Sequence, residues 1–271
     1  MQDALRSYFG AHNIEFFSVI AYSDCRETLG RIIERENFKP RSVILYLLPY
    51  YVGETVNISR YAASLDYHLA IKEVGEGLCA LLKEKFPSAN AKSYGDHSPI
   101  DEIGAALRSG LGIAGDNGLL INEKYGSYIF VGDVVTDVPP EELSAVSPMP
   151  VGRCRGCGAC KRACPTGILR GDGEDCLSAI TQKKGALSEG EAALMRKYNT
   201  AWGCDECQRA CPHNASPKIT PIPFFKKNNI FHLTRDMLDS MTEEEFSARA
   251  FAWRKRVTVE RNLEILSKKT I

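Results

Sequence analysis

The stretch from Cys154 to Pro212 constrains this chain more than any other, because it carries eight of the ten cysteines. They fall in two runs, Cys154-x2-Cys157-x2-Cys160-x3-Cys164-Pro165 and Cys204-x2-Cys207-x3-Cys211-Pro212, with Cys176 alone between them. The second run repeats only the last three positions of the first. Ala201 stands where its leading cysteine would be.

The first run has the spacing by which three cysteines hold one [4Fe–4S] cluster while the fourth, before proline, crosses to a second cluster. The crossing rule gives Cys154, Cys157 and Cys160 the fourth ligand Cys211. Cys204 and Cys207 then take Cys164, which leaves that set one thiolate short, and Cys176 fills the vacancy. Two structural zinc ions in all-thiolate sites are the alternative, since C-x2-C is also a zinc spacing. Zinc, however, needs neither the x3-Cys-Pro ending nor a third cysteine in the same tight run. Disulfides are not expected, because the motif has a better explanation and no signal peptide is recognisable. Cys25 and Cys79 stand apart and are expected to be buried, inert thiols.

A chain of 271 residues suffices for one large domain and a smaller one. Its formal net charge is zero, which gives no global attraction to nucleic acid, so any such binding must rest on local patches. No apolar run reaches the length of a membrane span. Oxygen-sensitive clusters imply a cytoplasmic location, with no membrane partner.

Residues 1 to about 140 read as alternating helices and strands, an α/β or α+β layered domain. Leu5, Tyr8 and Phe9 indicate a short first helix, and residues 14–20 a strand. A second helix is expected over 26–37, with Leu29, Ile32 and Ile33 at helical spacing. Residues 42–48 are a nearly continuous apolar strand, of the kind buried in a sheet with helices on both faces. A long helix is expected from Arg60 to Phe86, ended by Pro87.

In Gly95-Asp-His-Ser-Pro-Ile-Asp101, Ser98 is a natural N-cap, Pro99 suits the first helical position and Asp101 completes a capping box. A helix therefore runs from here to about Ser109, with Gly110 as its stop. Asp96 precedes the cap on a strand-to-helix turn, where a side chain faces a cleft or merely helps to close the turn. The segment Gly110–Gly118 allows close backbone approach to a ligand but lacks the dinucleotide glycine spacing. Residues 119–122 and 128–135 read as strands, and Pro139, Pro140, Pro148 and Pro150 as a linker. Beyond Pro212 the chain is proline-rich and then helical, with a capping box at Thr242 and Glu245 ahead of Phe246, Ala250 and Trp253. Arg254, Lys255, Arg256, Arg261, Lys268 and Lys269 form either a solvated helix face or a phosphate-contacting patch.

Several of these stretches together resemble the cobalamin-dependent epoxyqueuosine reductases, in a short form lacking the C-terminal helical-repeat domain. They are Asp175-Cys-Leu-Ser-Ala-Ile-Thr181, the segment Gly203–Asn214, Ile58-Ser-Arg-Tyr61 with Asp66-Tyr-His68, and Leu119-Leu-Ile-Asn122 followed by Tyr125-Gly-Ser127. The resemblance implies a nitroreductase-like cobalamin-binding domain over 1–145, a double-[4Fe–4S] ferredoxin-like domain over 146–220 and a helical tail over 221–271. It implies cobalamin contacts at Arg60, Tyr61, Asn117, Gly118 and Ser127, and Asp96 as the proton donor. The implied reaction is reduction of epoxyqueuosine to queuosine in tRNA by a monomer fed by a ferredoxin- or flavodoxin-type donor.

The sequence also departs from that family. Asp101-Glu-Ile103 stands where Glu-Arg or Glu-Lys is usual, and Asp116 where a lysine is common. Asp66-Tyr-His68 lacks the glycine of a corrinoid Asp-x-His-x-x-Gly motif, Ile71 taking its place, so His68 is expected on a helix face or in the core. The alternatives are a related corrinoid reductase with a non-tRNA substrate and a ferredoxin-type electron-transfer protein.

Overall fold

The structure, a computed structural model, describes residues 1–36 and 38–268. The chain forms two compact units, Met1–Pro49 with Tyr67–Gly156, and Tyr50–Asp66 with Cys157–Ile271. This is not the sequential division expected near residues 145 and 220. The segment 50–66 belongs with the cysteine-rich half, and the boundary at Gly156 runs through the first cysteine run.

In the first unit the elements follow as α1 (Gln2–Ala11), β1 (Phe17–Ala21), α2 (Gly30–Ile33), β2 (Ser42–Pro49), α3 (Tyr67–Lys85), β3 (Ala91–Tyr94), α4 (Glu102–Arg108), β4 (Ile113–Ala114), β5 (Leu120–Ile121) and β6 (Ile129–Thr136). The main sheet has the order β1-β2-β6-β3, and every pairing in it is antiparallel. β4 and β5 form a separate two-stranded sheet.

The apolar run of β2 is explained by its central place, since all eight of its positions are buried. Side chains alternate across a strand. Val43, Leu45 and Leu47 join Ala105, Ala106 and Leu107 of α4 in one core. On the opposite face, the Tyr46 ring lies 5.5 Å from Phe9 of α1, and its hydroxyl donates to the Ile71 carbonyl of α3 at 3.2 Å. Helices therefore cover both faces, but over an antiparallel sheet: the unit is α+β. Gly132 on β6 sits where a Cβ would meet the Tyr46 ring at 2.5 Å, which explains a glycine inside a strand.

Two expected helices are shorter than the pattern indicated. The one expected over 26–37 is reduced to α2, and Asn37 lies outside the described residues. The long helix begins at Tyr67, because Arg60–Ala62 form a separate 3₁₀ turn in the other unit. The proline-rich stretch is no free linker: the Val146 amide donates to the Val19 carbonyl and the Met149 amide to the Arg108 carbonyl, each at 2.8 Å.

The second unit comprises α5 (Ala159–Ala163), α6 (Leu177–Thr181), α7 (Glu189–Lys197), α8 (Glu206–Arg209), α9 (Arg235–Ser240), α10 (Glu243–Ser247) and α11 (Arg256–Ser267). Its core joins Ile58 and Ala62 to Trp202, Phe246, Phe251, Val259 and Leu263. Residues beyond 221 thus supply core rather than a tail. Asn57 ties the segments together, donating to the Leu233 carbonyl at 2.8 Å and accepting its amide at 2.9 Å. The capping box at Thr242 and Glu245 is present, but α10 ends at Ser247, and Trp253 beyond it is exposed.

The basic residues near the C-terminus are largely committed to structure. Arg256 donates to the Leu238 and Met241 carbonyls, and Arg261 to those of Thr181, Lys183 and Gly185. The Arg254 guanidinium stacks 3.7 Å above the Trp253 ring. Lys269 lies outside the described residues.

Candidate active site and cluster module

Helices α5 and α8, each carrying a central cysteine of its run, pack against one another in the second unit. Cys160 and Cys164 are buried, Cys204, Cys207 and Cys211 half-buried, and Cys157 and Cys176 exposed. Cys154 belongs to the first unit, where its amide donates to the Ala114 carbonyl at 2.9 Å. Gly156 and Gly158 have φ of 65° and 69°, the left-handed backbone that lets the first run fold tightly.

Cys164 and Cys204 differ in environment. Burial raises Cys164, but backbone hydrogen bonds from Leu169, Thr166 and Gly167 and the Thr166 hydroxyl outweigh it and hold the thiol below its ordinary range. Amides aimed at a sulfur are what a cluster thiolate accepts. Burial pushes Cys204 up to about 12, and the neighbouring Cys176, Asp205 and Cys207 add to the rise. Cys176, Cys204 and Cys207 are therefore close enough to act on one another, although Cys176 is remote in sequence. Among the described residues no three His, Cys, Asp or Glu side chains form a group that could hold a single metal ion. Cys25 and Cys79 are partly buried, and burial raises them to about 12 and about 11, as inert thiols require.

Arg60 is 4 % exposed, and its guanidinium pairs with Asp205 at 3.2 Å and with Glu54. The Tyr61 hydroxyl accepts the Trp202 indole N–H at 2.8 Å. Both side chains are thus built into the second unit and do not fit free contacts for a bound cofactor. Asn117 and Gly118 fit better. The Asn117 Nδ2 is buried without a partner, and Gly118 at φ 80° has open space where a Cβ would stand. Ser127 is buried in the same unit. Gly112 and Gly115 serve the β4–β5 hairpin, where a Cβ would collide with the Ile121 carbonyl or the Asn117 side chain.

Asp96 lies at the tip of the β3–α4 loop with φ of 63°, an uncommon conformation for a residue with a Cβ. The Tyr67 hydroxyl donates to its Oδ2, and His68 Nε2 lies 3.4 Å from the same oxygen. Burial raises the Asp96 carboxyl, but these two neighbours outweigh it and hold it below the usual carboxylate range. Tyr67 is stacked between His68 and Phe130, with ring centroids 4.2 and 3.9 Å away. His68 thus sits on the first turn of α3, half-exposed, facing Asp96.

Ser98 does not cap α4. Asp101 does, its Oδ1 accepting the Gly104 amide at 3.0 Å. The Ser98 hydroxyl instead donates to Asp133 Oδ2 at 3.0 Å. The helix still ends at Ser109, with Gly110 at φ 83°. Tyr67, Glu102 and Asp133 carried no assigned role in the sequence. The available signal was Asp133 itself, an acid inside the apolar strand 129–136.

The cysteine framework defines a double-cluster iron–sulfur protein with an α+β unit: residues 153–214 match the profile of the 4Fe-4S double cluster binding domain. By sequence the chain is similar to epoxyqueuosine reductases. It is 31% identical over 218 residues to that of Listeria monocytogenes, covering 77% of this chain and 56% of the relative. It is 32% identical over 195 residues to that of Escherichia coli K12, covering 70% and 50%. The chain thus spans about half the length of the curated relatives it matches.

The fold is shared with an epoxyqueuosine reductase from Bacillus subtilis, solved with its catalytic aspartate loop swung out of the active site. That match has a TM-score of 0.78 at 21% identity and covers 97% of this chain and 80% of the other. A second, solved with an epoxyqueuosine-modified tRNA-Tyr stem loop, matches with a TM-score of 0.74 at 21% identity over the same shares. Among the described residues no helix is long and apolar enough to cross a membrane.

Proposed function

We propose that the chain is an iron–sulfur reductase that removes the epoxide oxygen of epoxyqueuosine in tRNA, with Asp96 as the proton donor. The observation that carries this is the pairing, in one chain, of a double-cluster module with an aspartate held by Tyr67 and His68 on a strand-to-helix loop. The sequence relatives are epoxyqueuosine reductases, and a fold neighbour was solved with an epoxyqueuosine-modified tRNA stem loop.

Converting an epoxide to an alkene and water consumes two electrons and two protons. Cys154, Cys157, Cys160 and Cys211 hold one [4Fe–4S] cluster, and Cys164, Cys176, Cys204 and Cys207 the other. A ferredoxin- or flavodoxin-type donor fills them in a reducing cytoplasm, and tRNA is the substrate partner. The first unit is of the nitroreductase-like kind that binds cobalamin. Asn117 and Gly118 would contact the corrinoid, which supplies a strongly reducing metal centre when bound. Ser127, buried nearby in sequence, is the third residue assigned there.

Asp96 positions the proton. With Tyr67 and His68 both directed at Oδ2, its carboxyl is ionised when unoccupied by substrate. An apolar surface closing over the site would raise its proton affinity, while the polar neighbours resupply the proton.

Replacing Asp96 by Asn tests the reading. Cluster absorption and binding of cob(II)alamin, followed by EPR, are expected to persist while turnover of epoxyqueuosine tRNA falls at least about 100-fold. Full turnover would remove Asp96 from the mechanism. An unchanged cob(II)alamin spectrum would remove the corrinoid and leave an electron-transfer protein.

A further inference from the structure

The first unit holds a second pair of acids that the proposed reaction does not use. Asp133 lies in β6 at 0 % exposure, between β2 and β3, and α4 packs against β6 with Glu102 as its first residue. Asp133 Oδ1 and Glu102 Oε1 are both buried without an N–H or hydroxyl donor. Each acid acts on the other, and two buried carboxyl groups brought together can share a hydrogen bond only if one of them keeps its proton. Burial first, and the Glu102 charge second, raise Asp133 far above the carboxylate range; burial also raises Glu102.

Asp133 is tied to both ends of the Asp96 loop. At the near end Tyr94, the last residue of β3, is the register partner of Asp133. At the far end the Ser98 hydroxyl donates to Asp133 Oδ2 at 3.0 Å. In between, Asp96 holds φ of 63°, a conformation that persists only when its surroundings impose it, and its backbone amide lies against the Glu102 carboxyl.

We propose that Glu102 and Asp133 are positioning residues for Asp96: one proton shared between them keeps the Gly95–Ser98 loop in the place that turns Asp96 toward Tyr67 and His68. The inference rests on the reading of Asp96 as the acid for its functional meaning, but its structural content stands without it. If the shared proton is lost, two buried negative charges repel, and the cheapest relief is for the loop and the start of α4 to lift. The groups facing the pair are Asp96 and His97 from the loop, Ser98, Tyr46 from β2, Tyr94 from β3 and Cys25 after β1. No lysine or arginine is among the described groups that act on either acid. Because the closed loop binds the extra proton, its stability is present at low pH and is lost as pH rises through the raised pKa of the pair.

The test compares amide hydrogen-exchange protection of the Gly95–Ser98 loop as a function of pH in the cluster-loaded chain and in the isosteric variants Glu102→Gln and Asp133→Asn. Each variant keeps a hydrogen-bond donor between the two groups and leaves a single ionisable acid, so two adjacent buried charges cannot form. In the wild-type protein, loop protection is expected to fall about tenfold per pH unit above the transition, the slope of one proton. In both variants it is expected to stay level. A level wild-type profile, or variants that fall with the wild-type slope, would overturn the inference. If exchange behaves as expected while Asp96→Asn turns over normally, the positioning pair stands and the acid role of Asp96 falls.

Discussion

The Asp205 carboxylate accepts the Arg60 backbone amide at 2.7 Å and the Arg60 guanidinium at 3.2 Å, although 145 residues separate the two in sequence. Asp205 stands between Cys204 and Glu206, so the second cysteine run is braced by a segment from the N-terminal half of the chain. The pair is almost fully buried, and Ser59 also donates to the same carboxylate. Asp205→Ala leaves the buried Arg60 guanidinium with Glu54 alone and strands the Ser59 hydroxyl and Arg60 amide donors, which costs about 3 kcal/mol. Asp205→Ala is therefore expected to lower stability by that order in urea unfolding and to lower the iron retained per chain. Wild-type unfolding would show that the brace carries no energy.

In the proposed ligand assignment, Cys176 is the one cysteine that no regular run supplies. Its replacement by Ser is expected to halve the iron of the anaerobically purified protein, from about eight to about four atoms per chain. Iron analysis with EPR reads this directly. Unchanged iron content would assign the vacancy to another ligand.

Tyr67 and His68 hold the Asp96 carboxyl low. Tyr67→Phe removes one donor, so the Asp96 titration is expected to move upward toward the ordinary aspartate value of about 3.9. Carboxyl carbon NMR follows that shift. A depressed carboxylate stabilises the fold above the unfolded pKa, and this is lost as pH falls through the folded pKa. In the variant the depression shrinks, so its contribution at neutral pH shrinks with it. The Asp96 side chain is 55 % exposed, so this contribution is screened and small.

Arg261 donates to three backbone carbonyls of the second unit. Arg261→Ala is expected to cost about 2 kcal/mol of stability, as hydrogen bonds from a charged donor do. If the chain binds tRNA as proposed, the salt dependence of that binding is expected to stay unchanged, because loss of a phosphate contact would reduce its slope by about one. A lower slope at unchanged stability would return Arg261 to the phosphate-contacting patch.

Local signals in the sequence were read correctly where the physics is local. The cysteine spacing needs only a few residues to declare an iron–sulfur module, and the match over 153–214 agrees. The apolar run of 42–48 announced a central strand, and Thr242 with Glu245 a helix start. At the Ser98–Asp101 boundary two residues competed for the cap. Asp101 took it because Asp133, 35 residues beyond Ser98, claimed the serine hydroxyl.

What the sequence determined by itself was the iron–sulfur module, the buried strand over 42–48 and the helix start at Thr242, since each is encoded within one turn or one run. Tertiary structure alone decided that residues 50–66 join the cysteine-rich unit, that Arg60 and Tyr61 are spent on Asp205 and Trp202, and that the C-terminal segment is core. It also brought α4, which begins at Glu102, against β6, which carries Asp133. Those outcomes depend on which distant side chains meet once water is excluded. A buried charge must then find its partner wherever the fold brings one, and sequence distance does not limit that choice.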